Sequence, residues 1–377
     1  MVRKSNLNFF IATALVIGTI FGAGVFGIPY AVSKAGFPIG LFWMILLGIA
    51  VTLMTLYMAE VVLRTKKTKQ FVGLAEKYLG KKGKFLMFLS TVVGMIGILT
   101  AYLVGIGNTA YTLFGLGSPL IFTFVFFAIA SFLIYIGLKS IGKAMLVLTS
   151  LLIAVILIVC LIMLPNVNVQ NVSYVESGSF FFPFGIILLA LLGYSIIPEV
   201  EIVLKNEKKK MLGVIILASA ICISIYILFT LAVLGVYGSS VSEIATMSFT
   251  GIPRILGNFV ALAAMSAAFL SLGTVMTDVF VYDLKFNRLL AWAISCFVPL
   301  GLLVVFSPSF ITMLDIVGIY SGGLTGVLAA LMVLKARKKG DVKPAFVVPG
   351  GKPLIYAVLL LFLFGIVYQT LVFAGVI

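Results

Sequence analysis

The sequence predicts an all-helical polytopic membrane protein of eleven spans, arranged as two inverted five-helix units with a broken helix opening each, plus one further helix. Three observations carry this. Of 377 residues, 63% are hydrophobic and 10% are charged, with a mean hydropathy of +1.28, against about a quarter charged in globular domains. Eleven apolar stretches bounded by charge or turn residues follow one another along the chain. Two of them carry matched Gly/Pro interruptions 169 residues apart. At about 20 residues per crossing, eleven spans use about 220 residues and leave room for short connections.

The spans fall at residues 9–32, 40–63, 85–114, 119–138, 144–164, 181–204, 211–237, 257–282, 289–306, 310–334 and 353–376. The Gly137 to Lys143 turn divides the fourth from the fifth. The opening Arg3 and Lys4, with Gly22, Ala23 and Gly24 as small residues, imitate a signal peptide. The apolar stretch continues past Pro29, which favours a span.

Charge gives the orientation. The 26 basic and 11 acidic residues leave +15. With residues 1–8 cytoplasmic, Arg3, Lys4, the 64–84 stretch, Lys139, Lys143, Lys205 to Lys210, Lys285, Arg288 and the 335–352 loop place 24 of 26 basic residues inside, leaving only Lys34 and Arg254 outside. That satisfies the positive-inside rule in a multi-pass cytoplasmic-membrane protein with its C-terminus outside. The same rule accounts for the lysines of the 66–84 and 335–352 loops, which also suit anionic lipid. A nucleic-acid partner is not needed to explain the charge. There is no His, and Cys160, Cys222 and Cys296 stand isolated in apolar stretches, so neither a disulfide framework nor a clustered metal site is expected. Nucleophile–base pairs are likewise missing, and the chain does not read as an enzyme or as needing an organic cofactor.

The first span reads Gly18-Thr19-Ile20-Phe21-Gly22-Ala23-Gly24-Val25-Phe26-Gly27-Ile28-Pro29. Glycine lowers helix preference and Pro29 removes an intrahelical bond, so backbone groups near Gly22 to Gly27 are expected to be freed at mid-membrane depth. Such backbone is tolerated only where protein buries it or a polar cavity faces it. The sixth span repeats the pattern in Gly193-Tyr194-Ser195-Ile196-Ile197-Pro198. Five helices begin with each interrupted span, giving units at 9–164 and 181–334 separated by an external 165–180 loop. The 335–352 loop and an eleventh helix at 353–377 follow. An odd helix number inverts the second unit, which is the pattern of a secondary transporter with a midplane site. Gly18 and Gly22 also make a small-xxx-small spacing that close helix packing alone would explain.

At these residues the chain resembles the amino acid/auxin permease family, within the amino acid, polyamine and organocation superfamily that shares the LeuT fold. Gly22-Ala23-Gly24-Val25-Phe26-Gly27-Ile28-Pro29-Tyr30-Ala31 is similar to that family's Gly-x-Gly-Ile-x-x-x-Pro-x-Ala opening, and Ser33-Lys34-Ala35-Gly36 to its following turn. The 74–84 segment resembles the amphipathic stretch between helices two and three, and Ala101-Tyr102-Leu103-Val104 the third helix. Phe269-Leu270-Ser271 with Asp278 is similar to helix eight of the hydroxy and aromatic amino acid permeases. The resemblance implies amino acid transport by alternating access, with the carboxylate and amine held by the unwound parts of helices one and six.

A zwitterion at the midplane needs backbone donors and carbonyl acceptors rather than ionised side chains. Gly22, Ala23 and Gly24 allow that close approach, with Val25 and Phe26 walling the side-chain pocket. Gly193, Tyr194 and Ser195 are expected on the opposite wall. Tyr102 faces the same cavity or is a packing tyrosine.

For ion coupling, Thr19, Ser271, Thr274 and Asp278 are the candidates. Ser271, Thr274 and Asp278 share one helix face, and in the LeuT fold hydroxyls of this helix help form a sodium site. Leu272 stands where a second hydroxyl is expected, and the hydroxyls can equally bond their own helix. The fifth span lacks the lysine that replaces sodium in some relatives, leaving Asp278 as a proton carrier or as a residue snorkelling to the interface. H⁺ and Na⁺ both remain as coupling ions, and no other metal is expected. Glu60, Glu199 and Glu201 near inner helix ends read as structural or inner-gate residues, neutralised by loop lysines. Asp315, near the outer end of the tenth span, has Arg254 and Lys34 as available cations for an outer-gate ion pair. The expected substrate is a neutral amino acid with an apolar or aromatic side chain. The alternative is a channel or a non-transporting amino acid sensor of the same fold.

Overall fold

The computed structural model describes residues 2–66, 70–136, 141–205, 207–282 and 284–376. The Gly137 to Lys143 turn falls at 137–140 outside the described residues, as do 67–69 of the first basic stretch.

The described residues form fifteen α-helices: α1 (Val2–Ile20), α2 (Gly24–Ala35), α3 (Phe37–Leu63), α4 (Phe71–Phe114), α5 (Pro119–Ile136), α6 (Ile141–Met163), α7 (Gln170–Ser173), α8 (Phe184–Leu191), α9 (Ile197–Val203), α10 (Met211–Tyr237), α11 (Gly251–Tyr282), α12 (Arg288–Phe306), α13 (Phe310–Ile316), α14 (Leu324–Lys339) and α15 (Gly351–Phe373). Among the described residues, nine helices are long and apolar enough to cross a membrane. The bent pair α1–α2 makes a tenth crossing and the Ser150–Asn166 portion around α6 is a shorter apolar helix. In chain order, ten of the eleven hydropathy stretches fall on these crossings, and the 144–164 stretch falls on the shorter helix.

The first span is broken by 54° between α1 and α2, and the sixth between α8 and α9. The first break lies at Phe21–Ala23, earlier than the Gly22 to Gly27 expected from composition, because Gly24 to Pro29 are helical. Those glycines serve packing instead: a Cβ on Gly24 would stand 2.9 Å from the Ala190 Cα, and one on Gly27 2.8 Å from Leu314 Cδ1. In the sixth span Pro198 lies in the first turn of α9, where its missing N–H costs no helical bond.

The third span is longer than hydropathy indicated, since α4 begins with the amphipathic 71–84 segment. Gly80 lets it turn into the span, with φ +75°, a conformation that side chains rarely adopt. The tenth span contains a π-helical segment, Val317–Gly323, between α13 and α14. Small residues then bring helices close, as membrane bundles require in the absence of a hydrophobic driving force between helices. Gly318 lies against the Gly185 carbonyl, and Gly326 against the Phe362 ring.

One end of the bundle is rich in lysine and arginine and is tied together by the 340–350 loop. Asp341 and Val342 donate their N–H groups to the Arg64 carbonyl at 2.9 and 3.3 Å. The Asp341 carboxylate accepts from the Lys66 N–H at 2.9 Å and pairs with Lys77. At the other end, Trp43 Nε1 donates to the Phe180 carbonyl at 2.7 Å and its ring packs among Phe180, Phe181 and Phe184. This fixes the loop between the fifth and sixth spans over the start of α3.

Candidate functional site

The two helix breaks meet. A Cβ on Gly193, in the sixth-span break, would lie 2.3 Å from Ile20 Cγ1 at the end of α1. Gly24, opening α2, touches Ala190 near the end of α8 in the same way. Each break therefore packs against the opposite broken span in the core rather than on a separate greasy surface.

Breaking a helix releases carbonyls and N–H groups. In an unbroken first span the Ile20 carbonyl would accept from the Gly24 N–H, and in an unbroken sixth span the Ala190 carbonyl would accept from Tyr194. Both instead lie around one side chain: the Tyr226 hydroxyl, on α10, is 2.9 Å from the Ile20 oxygen and 3.1 Å from the Ala190 oxygen. Tyr226 is buried, and Phe21 packs its ring at 5.1 Å between centroids. Sequence reading missed Tyr226. The signal was present, since a tyrosine in the middle of an apolar span must find a partner for its hydroxyl.

On the other side, the Tyr102 hydroxyl of α4 lies against the unwound backbone, beside the Ala23 N–H and 3.7 Å from where a Gly22 Cβ would stand. Val25 and Phe26 are fully buried. Phe26 meets Phe229 edge-on at 6.5 Å and adjoins a small apolar cavity lined by Val155, Ile156, Val159, Phe249 and Val260. Gly22, Ala23, Gly24, Val25, Phe26, Tyr102 and Gly193 are thus brought to one place.

Tyr194 and Ser195 are not on the wall expected for them. The Tyr194 ring packs on Phe71, at the start of α4, with centroids 5.4 Å apart, so it points toward the lysine-rich end. Its hydroxyl is 3.4 Å from Thr325 Oγ1. Thr325 is in turn 2.9 Å from Ser90 Oγ, which donates to the Ser321 carbonyl at 2.8 Å. With one hydrogen per hydroxyl, the chain runs Tyr194 to Thr325 to Ser90 to the π-helical segment. Ser195 is exposed, because the turn that aims Tyr194 inward swings its neighbour outward.

The ion-coupling candidates are dispersed among local bonds. Thr19 donates to the Leu15 carbonyl and Thr274 to the Leu270 carbonyl, at 2.9 and 2.8 Å. Ser271 is half-buried, and Asp278, on the face expected to be shared, is exposed. Among the described residues there is no cluster of three or more His, Cys, Asp or Glu able to hold a metal.

The outer-gate pair is not formed. Arg254 donates to the Thr112 carbonyl at 2.9 Å, and Lys34 lies over the Tyr30 ring. Asp315 accepts from Gln369 Nε2 at 2.9 Å and stands against Gly185. The reason is positional: Arg254, near the start of α11, turns to the Thr112 carbonyl of α4, whereas Asp315, near the end of α13, faces Gly185 of α8 and Gln369 of α15.

Of the acidic residues at the other end, Glu201 pairs with Lys208 at 2.5 Å and Glu199 is exposed. Glu60 is fully buried and bound by arginines rather than lysines. Arg337 Nε and Nη2 donate to its two oxygens at 2.9 and 2.8 Å, Arg64 Nε adds 2.9 Å and the Val348 N–H 3.0 Å.

Comparison with known proteins agrees with this architecture. The crystal structure of MhsT in complex with L-phenylalanine superposes with a TM-score of 0.67 at 17% identity, covering 98% of each chain, and shows the shared LeuT-type fold. Glutamine transporter 2 of Aliivibrio fischeri is 23% identical over 89% of this chain and 90% of its own. Tyrosine-specific transport system 1 of Haemophilus influenzae is 29% identical over 59% and 57%, and tyrosine-specific transport system 2 of the same organism 25% identical over 92% and 93%. The family that matches, over residues 5–369, is not the amino acid/auxin permeases that the first-span motif resembles. The chain belongs to the tryptophan/tyrosine permease family.

Proposed function

We propose that this permease carries neutral amino acids, with aromatic or other apolar side chains preferred, by alternating access and coupled to a Na⁺ or H⁺ gradient. The observation that carries the reading is the meeting of the two helix breaks, Ile20 on Gly193 and Gly24 on Ala190, with Tyr102 over the Ala23 backbone. Freed backbone can hold a carboxylate and an ammonium without ionised side chains, and the surrounding Phe21, Val25, Phe26 and Phe229 favour an apolar side chain. The names of the relatives, tyrosine and glutamine transporters, and L-phenylalanine in the structural neighbour support a neutral amino acid.

For coupling, Thr19 and Thr274 keep oxygen lone pairs available while donating to their own helices, which suits a monovalent cation. The lysine-rich end is assigned to the cytoplasm by the positive-inside rule, placing the N-terminus inside and the C-terminus outside. Residues 9–164 and 181–334 are the two inverted units, each opened by a broken span, with the 335–352 loop cytoplasmic.

Uptake by purified protein in liposomes, across a panel of labelled amino acids with sodium and pH gradients imposed separately, tests this. Saturable, accumulating uptake of aromatic or other neutral amino acids, with exchange of labelled for unlabelled substrate, is expected. Current without counterflow would mark a channel, and binding without translocation a sensor.

A further inference from the structure

We infer that the Tyr226 hydroxyl is a displaceable cap on the two freed carbonyls, and that the substrate's ammonium takes its place on one of them. The inference rests on the proposed function and goes beyond it, by naming a positioning residue on a helix that is not itself broken.

The argument is a count of protons. Ile20 and Ala190 each offer a carbonyl released by a helix break, and both oxygens lie within 3.1 Å of the same phenol oxygen. A phenol carries one hydrogen. At any instant the phenol serves one carbonyl and not the other, in a buried place where an unmatched acceptor is expensive. Two carbonyl oxygens and the phenol's own lone pairs thus face a single donor.

An ammonium brings three N–H donors and a positive charge, the complement of that deficit. Its arrival serves one carbonyl while the phenol O–H serves the other, so both acceptors are matched. When the ammonium leaves, the hydroxyl returns and bridges α1 to α8 again. Phe21 and the Gly24–Ala190 contact hold the two oxygens at that spacing. Tyr226 therefore acts in the empty protein as a stand-in for part of the substrate.

The test is Tyr226→Phe in proteoliposomes, comparing net uptake with exchange of a labelled aromatic amino acid. Loss of a competing hydrogen bond is expected to lower the KM about three- to tenfold. Net uptake is expected to slow more than exchange, because only net uptake requires the empty protein to reorient with both carbonyls uncapped. An unchanged or raised KM, or equal slowing of both modes, overturns the inference. So does a variant whose sodium dependence changes while its KM for the amino acid does not, since the acceptors would then hold the metal ion. Should the phenylalanine variant fail to fold, fluorotyrosine placed at position 226 reports the same event. Its ¹⁹F resonance is expected to shift with the amino acid and not with the des-amino acid at concentrations that compete, and no shift with the amino acid overturns the inference. Wild-type protein that takes up no amino acid would instead remove the proposed function, a result distinct from any of these.

Discussion

Glu60 on the second span and Arg337 on the tenth are joined by two parallel hydrogen bonds of 2.9 and 2.8 Å, with the carboxylate fully buried. Arg337 Nη2 continues to the Val348 carbonyl at 2.8 Å while the Val348 N–H returns to Glu60 at 3.0 Å. One ion pair thereby fixes two helices and the 340–350 loop. Removing one partner of a buried pair leaves the other charge unmatched and costs about 3–5 kcal/mol. Arg337→Met and Glu60→Leu are each expected to lower the thermal unfolding temperature sharply in detergent, and the double variant to be more stable than either single one. Additive losses in the double variant would show that the two side chains do not act as a pair.

Gly24 makes the contact between the two breaks that rests on backbone. A Cβ there meets the backbone of Ala190 at 2.9 Å, so the neighbour cannot simply rotate away. Overpacking of this kind costs about 1–3 kcal/mol. Gly24→Ala is expected to reduce uptake about tenfold or more, and Gly24→Leu to abolish it in protein that still purifies as a single species. Normal transport by the leucine variant would remove the site from the meeting of the breaks.

The helices were legible in the sequence because the bilayer imposes a length and a composition on each of them. The place of the breaks was legible only to within a few residues, since Gly22, Gly24 and Gly27 look alike in sequence but only the first lies in the discontinuity, the others making room for Ala190 and Leu314. The family motif led to Gly22, Ala23, Gly24 and Tyr102, which the fold does bring together. What local pattern cannot carry is partnership between distant spans. Arg254 and Asp315 were matched by charge and by side of the membrane, yet Asp315 found the uncharged Gln369 on the eleventh span. Tyr226 escaped notice because its importance lies wholly in two carbonyls 206 and 36 residues away.

Asp315 should tolerate loss of its charge. Gln369 Nε2 donates to one oxygen at 2.9 Å, and an asparagine in its place retains a carbonyl oxygen for that bond. Asp315→Asn is therefore expected to take up substrate within about twofold of wild type, whereas Asp315→Leu leaves the Gln369 amide without its acceptor and lowers stability by about 1–3 kcal/mol. A strong transport defect in the asparagine variant alone would show that the negative charge itself is used in gating or coupling.

Asp341 makes the lysine-rich end sensitive to acid. The Lys66 N–H, and then the Lys77 ammonium, hold its carboxyl below the usual carboxylate value. A folded-state pKa below the unfolded one gives stability that is present above the ordinary value of about 3.9 and lost as pH falls through the depressed one. Amide exchange at residues 340–348 is expected to stay flat, after correction for intrinsic rate, from neutral pH down to about 5. It should rise in Asp341→Asn at every pH. Equal protection in that variant would show that the Arg64 carbonyl bonds alone hold the loop.

Tyr194 separates the meeting of the breaks from the lysine-rich end. Its ring rests on Phe71 and its hydroxyl is held by Thr325, which Ser90 ties to the π-helical segment of the tenth span. Because π-helical turns are strained relative to α-helix and recur at functional sites, a hydroxyl chain ending on one offers an arrangement with two states. Thr325→Val removes the link without changing shape, and Phe71→Ala removes the ring beneath Tyr194. Both are expected to open this end: a cysteine placed at the buried Ala23 should react faster than in the parent with a thiol reagent added from the lysine-rich side. Tyr194→Phe keeps the ring contact and loses the hydroxyl, so its rate should match that of Thr325→Val. Reactivity of Ala23→Cys equal to the parent's in all three backgrounds would mean that Tyr194 is a packing residue and the barrier lies elsewhere.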